Sequence, residues 1–138
     1  MTLTIDTPYQ PLPQPRSWKS AMWRGLRCRC PNCGKGHMFR AFLKVADTCD
    51  SCGEELHHQR ADDAPPYFTM FIVGHIVVPL VVVVEKMFHP SLTVHMLLWL
   101  PVTLALTLLL LPLVKGAIVG LQWALRMHGF GGATAEME

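Results

Sequence analysis

From residue 68 onward the chain is dominated by apolar side chains. Residues 68–84 read FTMFIVGHIVVPLVVVV, with only Thr69 and His75 as polar interruptions. Residues 92–114 read LTVHMLLWLPVTLALTLLLLPLV, interrupted by Thr93, His95, Thr103 and Thr107. At ~1.5 Å per residue these helices span roughly 25 and 35 Å, against a hydrocarbon core of ~30 Å. The first run gains length from Pro66–Tyr67 and from Glu85–Phe88, whose charged ends can snorkel. The pattern predicts membrane helices over residues 65–88 and 92–114. A loop at 89–91 is short enough to force an antiparallel hairpin. Past residue 114 the chain reads KGAIVGLQWALRMHGF, in which Gly116, Gly120 and Ala124 recur every fourth position. Such a stripe of small side chains lets helices approach closely. The expectation is a helical extension over 115–130, ended by Gly129, Gly131 and Gly132, with a loose tail over 131–138.

The front of the chain has another character. Prolines at 8, 11, 13 and 15 block helix and sheet ladders, so residues 1–15 are expected to be disordered or polyproline-like. In residues 16–27, Trp18, Met22 and Leu26 share one helical face, Trp23 lies beside it, and Arg16, Lys19, Arg24 and Arg27 surround it. A short basic helix with tryptophans suits a membrane surface. The competing reading is a helix packed on the neighbouring module.

Residues 28–64 carry the cysteines. CPNCG at 30–34 and CDSCG at 49–53 are two C-x2-C pairs, each followed by glycine, with fifteen residues between them. Two residues between cysteines let one turn aim both sulfurs at a point, and the glycine permits positive φ. Two such turns complete a tetrahedron around zinc, within the usual spacing. Cys30, Cys33, Cys49 and Cys52 are the expected ligands of one structural Zn2+, in a zinc ribbon too small to fold on its own core. Cuprous copper or an iron–sulfur cluster would also suit thiolates. A redox C-x-x-C reading lacks its βαβ context. Cys28 reads as a bystander thiol; His37, His57 and His58 read as surface residues.

Composition sharpens the division. The chain has 138 residues, one domain's worth, of which 51% are hydrophobic and 16% charged. Residues 1–64 hold 16 of the 22 charges. A net charge of +2 gives no case for nucleic acid. All basic residues but Lys86 lie outside the hairpin loop, and the first 15 residues show no apolar leader. The expectation is a chain with both termini in the cytosol, where five cysteines act as ligands rather than disulfides.

Some polar residues stand out. Asp63 suits a helix N-cap ahead of Pro65 and Pro66; alternatively Asp62 and Asp63 form a docking or cation site. His75 lies in mid-span, where Pro79 frees its carbonyl; it either bonds Thr103 or Thr107 across the hairpin or faces a partner. Pro101 similarly frees the Leu97 carbonyl, and two such kinks could mark a partner-binding groove. Gly116, Gly120 and Ala124 are a second candidate interface. Glu85, His89 and His95 lie together at the outer end, as plain surface residues or a weak second metal site. There is no Ser–His–Asp pattern, phosphate loop or metalloprotease motif, so a non-enzyme is expected.

From about residue 24 to about 130 the chain resembles a family of small bacterial membrane proteins, the domain-of-unknown-function 983 family. RCPNCGKG at 29–36, CDSCG, ADDAPPYF, GHIVVP, LLWLP and LPLVKG carry the likeness. Cysteine is uncommon in that family at position 28. The resemblance implies a multi-pass protein of the bacterial inner membrane whose genes often neighbour those of terminal oxidase subunits and assembly factors. The function expected from it is a non-enzymatic adaptor or assembly factor for a respiratory oxidase. A permanent accessory subunit and a copper- or zinc-handling protein are the alternatives.

Overall fold

The structure, a computed structural model, describes residues 14–130. The expectations for residues 1–13 and 131–138 lie outside it. In chain order the elements are α1 (Trp18–Leu26), a two-stranded antiparallel hairpin of β1 (Phe39–Ala41) and β2 (Lys44–Val45), α2 (Ala64–Phe88) and α3 (Leu92–Ala124).

Ser17 caps α1, its hydroxyl accepting from Ser20 N at 3.5 Å. The helix ends where Cys28 turns left-handed (φ 57°), with Cys28 N–H on Gly25 O and Arg29 N–H on Arg24 O. Glycine is the usual residue at such a helix end. The packing face is not the Trp18–Met22–Leu26 stripe. Ala21 and Gly25 are buried instead, while Trp18 and Trp23 stay about half exposed. Backbone approach decides this. Ala21 lies over Gly120 and Gly25 over Gly116, and neither glycine of that pair has room for a Cβ. The small-residue stripe of α3 is therefore filled by the chain's own α1, which corrects its reading as a surface for a foreign partner.

Asp63 holds the N-cap position of α2 but makes no capping bond. A capping carboxylate accepts from the N–H groups of the second or third helical residue. Here those are Pro65 and Pro66, which have none. Asp63→Ala should accordingly change stability by under ~0.5 kcal/mol instead of the ~1 kcal/mol of a working cap. Denaturation of the purified protein measures the difference.

α2 ends at His89, whose left-handed backbone (φ 44°) turns the chain into α3. α3 runs unbroken through Pro101 and Pro112 for 33 residues, about 50 Å at 1.5 Å each. The second span and its extension are thus one helix, which stops at Ala124 and not at 130. Arg126, His128 and Gly129 all take positive φ. They fold the chain back so that Phe130 enters the core.

α2 and α3 are both long and apolar enough to cross a membrane, and little of either apolar stretch is buried. Leu97, Leu100, Leu104 and Leu109 are among the outward-facing side chains. A soluble monomer does not leave a face of that size in water.

Candidate metal centre

Each cysteine pair forms the same turn. Gly34 N–H bonds Cys30 O at 2.9 Å, and Gly53 N–H bonds Cys49 O at 3.1 Å. Both glycines have positive φ, 69° and 74°. The turns bring the four sulfurs within 4.8 Å of one another. Cys30 and Cys52 sulfurs lie 3.7 Å apart, Cys33 and Cys49 sulfurs 3.8 Å. Four sulfurs placed tetrahedrally at ~2.3 Å from one ion are separated by ~3.8 Å, so the set fits a metal without rearrangement. Gly36 closes the wall: a side chain there would strike the Cys49 sulfur.

The sulfurs are unequal. Cys30 and Cys49 are buried and Cys52 is exposed. The N–H of Gly36, helped by that of Lys35, lowers the Cys33 thiol to about 6. Burial pushes the Cys30 thiol up, and partial desolvation of its sulfur pushes up that of Cys52, although the residue is otherwise exposed. At neutral pH, metal entry therefore displaces protons from at least Cys30 and Cys52, while Cys33 is already ionised. Proton release opposes binding in acid, so affinity should fall by at least about a hundredfold for each pH unit of acidification near neutrality. Competition with a chelator of known affinity from pH 6.5 to 8 measures that slope.

Cys28 stands outside the cluster. Its S–H points at the Pro112 carbonyl, 3.9 Å away on α3. Cys28→Ser should leave metal content unchanged, as elemental analysis of the purified variant would show.

The cysteine module is bolted to the C-terminal part of α3 by side chains from both. Gln122, buried, bonds Arg60 twice: its amide oxygen accepts from Arg60 N and its amide nitrogen donates to Arg60 O, both at 3.1 Å. Trp123 donates its indole N–H to Glu54 at 2.9 Å, and Glu54 also accepts from Asn32 of the first cysteine turn at 3.2 Å. Arg16 reaches the Trp123 and Phe130 carbonyls and lies 4.2 Å over the Trp123 ring. Lys115 donates to Leu43 O at 2.8 Å. Sequence reading missed these because each pairing joins segments tens of residues apart. Lys115 and Gln122, polar residues in the last turns of a largely apolar helix, were the available signals.

The remaining candidates fall out variously. His75 does not bond Thr103 or Thr107; it is exposed, with Nδ1 2.8 Å from Phe71 O and its ring against Phe71. Thr107 instead donates to Thr103 O. The reason is angular: Thr69, Val73 and Val77 form the buried side of α2, and position 75 faces away from it. A groove of about 500 Å3 does lie between α2 and α3, lined by Thr69, Gly74, Thr103 and Thr107 among others. The Thr69 hydroxyl is buried there without a hydrogen-bond partner among the described residues. Asp62 and Asp63 are exposed. Glu85, His89 and His95 do converge, His95 Nε2 lying 2.8 Å and His89 Nδ1 3.8 Å from the Glu85 carboxylate. Trp99 donates to His95 Nδ1 at 3.0 Å, leaving the ring proton on Nε2 facing Glu85. Both ring nitrogens of His95 are thus engaged, and the trio ties the hairpin together across its loop instead of offering three free ligands.

The family described as protein of unknown function (DUF983) matches residues 39–123, more than half of the chain. The chain belongs to this family. In this DUF983 protein the match takes in the hairpin, the second cysteine pair and both long helices, and is narrower than the resemblance read from motifs. Cys30, Cys33 and α1 lie before it, so their place in the site rests on the geometry above. Neither the curated proteins nor the solved structures give a match.

Proposed function

We propose that this DUF983 protein is a non-enzymatic zinc-ribbon adaptor of the bacterial inner membrane, both termini cytoplasmic, serving the assembly of a respiratory terminal oxidase. The observation that carries the reading is the joining of a closed four-sulfur site to a lipid-suited hairpin. Four thiolates leave no open position on an ion, so the centre shapes a surface and does not catalyse. Zn2+ is the ion that such a tetrahedral set suits best. Gln122, Trp123 and Arg16 hold the module at a set position over α3. A partner gripping the cytosolic module is thereby positioned relative to the hairpin.

The choice of oxidase as partner rests on the gene company that the family resemblance implies. The cytosolic placement of the module rests on its thiols and on the distribution of lysine and arginine. Deleting the gene and measuring haem and copper in the membrane-bound oxidase tests the proposal. Depleted cofactor with normal oxidase transcript supports it; normal content with normal respiration ends it. Recovery of the protein at fixed stoichiometry with mature oxidase would favour the accessory-subunit reading. A labile metal in the four-cysteine site would favour copper or zinc handling.

A further inference from the structure

We infer that Glu55, His57 and His58 form a second, open cation site, which takes one divalent first-row transition ion with water completing its shell. The ligand atoms of the three side chains lie within 4.8 Å of one another. His58 Nε2 is 3.0 Å from the Glu55 carboxylate, and the two imidazole rings are 4.0 Å apart. Donors at ~2.0–2.1 Å from a tetrahedral ion sit ~3.3 Å from each other, so small rotamer changes in exposed His57 and Glu55 complete the set. Two imidazoles and a carboxylate are a borderline donor set, suited to Zn2+ and its neighbours and poorly suited to Mg2+ or Ca2+.

The site is held by its backbone. The N–H groups of Leu56 and His57 both donate to Asp47 O, at 2.8 and 3.2 Å, and Thr48 pairs with Glu55. His58 is fixed from behind. Phe130 meets its ring edge-on at 5.8 Å, and the backbone of Gly129 lies so close that a Cβ there would come within 2.9 Å of His58 Nδ1. Nε2 is left directed at Glu55. No lysine or arginine pairs with Glu55 among the described residues; its ion-pair partner there is His58. The two centres thus differ in kind. The sulfur site is closed, whereas this one has three protein ligands, two of them exposed, and exchanges its ion with solution. The inference stands on these residues and does not depend on the oxidase reading.

Zinc stoichiometry of the full chain, purified in detergent without a polyhistidine tag, tests it. Wild type should bind two equivalents. One should survive mild chelation, and the other should leave and return when Zn2+ is added back. H57Q/H58Q should keep the retained equivalent and lose the exchangeable one. Glu55→Gln should weaken the exchangeable site more than tenfold. Loaded with Co2+, the second equivalent should add no sulfur-to-metal charge-transfer absorption. A single equivalent in wild type overturns the inference. So does an unchanged second equivalent in H57Q/H58Q, or sulfur character in its Co2+ spectrum. The retained equivalent reports that each variant is folded. If the double variant lost it, Glu55→Gln and His57→Gln alone would decide. Oxidase content plays no part in this readout, so either proposal can fail without the other.

Discussion

Cys52→Ser, or Cys30→Ser, should strip the retained ion from the protein and collapse the cysteine module, with steady-state levels falling several-fold. Structural zinc sites contribute roughly 10–16 kcal/mol of binding free energy at neutral pH, and that energy is folding energy where no core can replace it. Here the module's own buried apolar residues besides cysteine are few: Pro31, Met38, Val45, Leu56 and Ala61. Removing one thiolate takes away a ligand and leaves three thiols crowded around an incomplete shell. Cys30 carries a further penalty, because its side chain is wholly buried and serine would bury a hydroxyl where the sulfur sat. Metal analysis paired with limited proteolysis of residues 28–64 is the measurement. A Cys52→Ser protein that kept its ion through chelation, with an intact module, would refute the ligand assignment. Cys28→Ser is the matched control, since its sulfur faces α3 and not the cluster.

Gly116→Ala is the second change with a large expected effect. The new methyl would land on the carbonyl of Gly25, and a Cβ at Gly25 would land in turn on that of Gly116. The obstacle is backbone on both sides, so no side chain can swing away. α1 must separate from α3, at a cost of about 3 kcal/mol, the upper end for overpacking. Separation also withdraws the anchors made by Arg16 and loosens the wall of the module at Cys28. Chemical denaturation in detergent should show the loss, and cleavage within residues 14–27 should accelerate. Gly74→Ala is the comparison. Nothing lies within 4 Å of a Cβ at that position, so stability should hold or rise slightly. Equal behaviour of the two variants would show that α1 does not pack on the stripe as described.

Much of this was legible along the chain because it is local. The C-x2-C-G turns are five-residue events, and Gly34 and Gly53 take the positive φ that the spacing asks for. The long helices follow from continuous apolar runs with a seven-residue interruption. Asp63 takes the expected N-cap position of α2, but its missing capping bond was already legible, since Pro65 and Pro66 cannot donate to it. The expected bond from His75 to Thr103 or Thr107 is missing for a different reason: a proline marks which carbonyl is freed, not which way the helix faces. The pairing of Glu85 with His95 crosses the hairpin loop, and the engagement of Trp99 on the far side of His95 needed the helix phase to be known.

By itself the sequence determined which four cysteines gather at one point and where the two apolar helices run, because turn geometry and hydrophobic length act over a few residues at a time. Only the tertiary structure decided what the small-residue stripe touches, how the module is held to α3, and that Gly129 and Phe130 back His58. Those features depend on which backbones meet when distant segments fold together, and residue spacing carries no information about that.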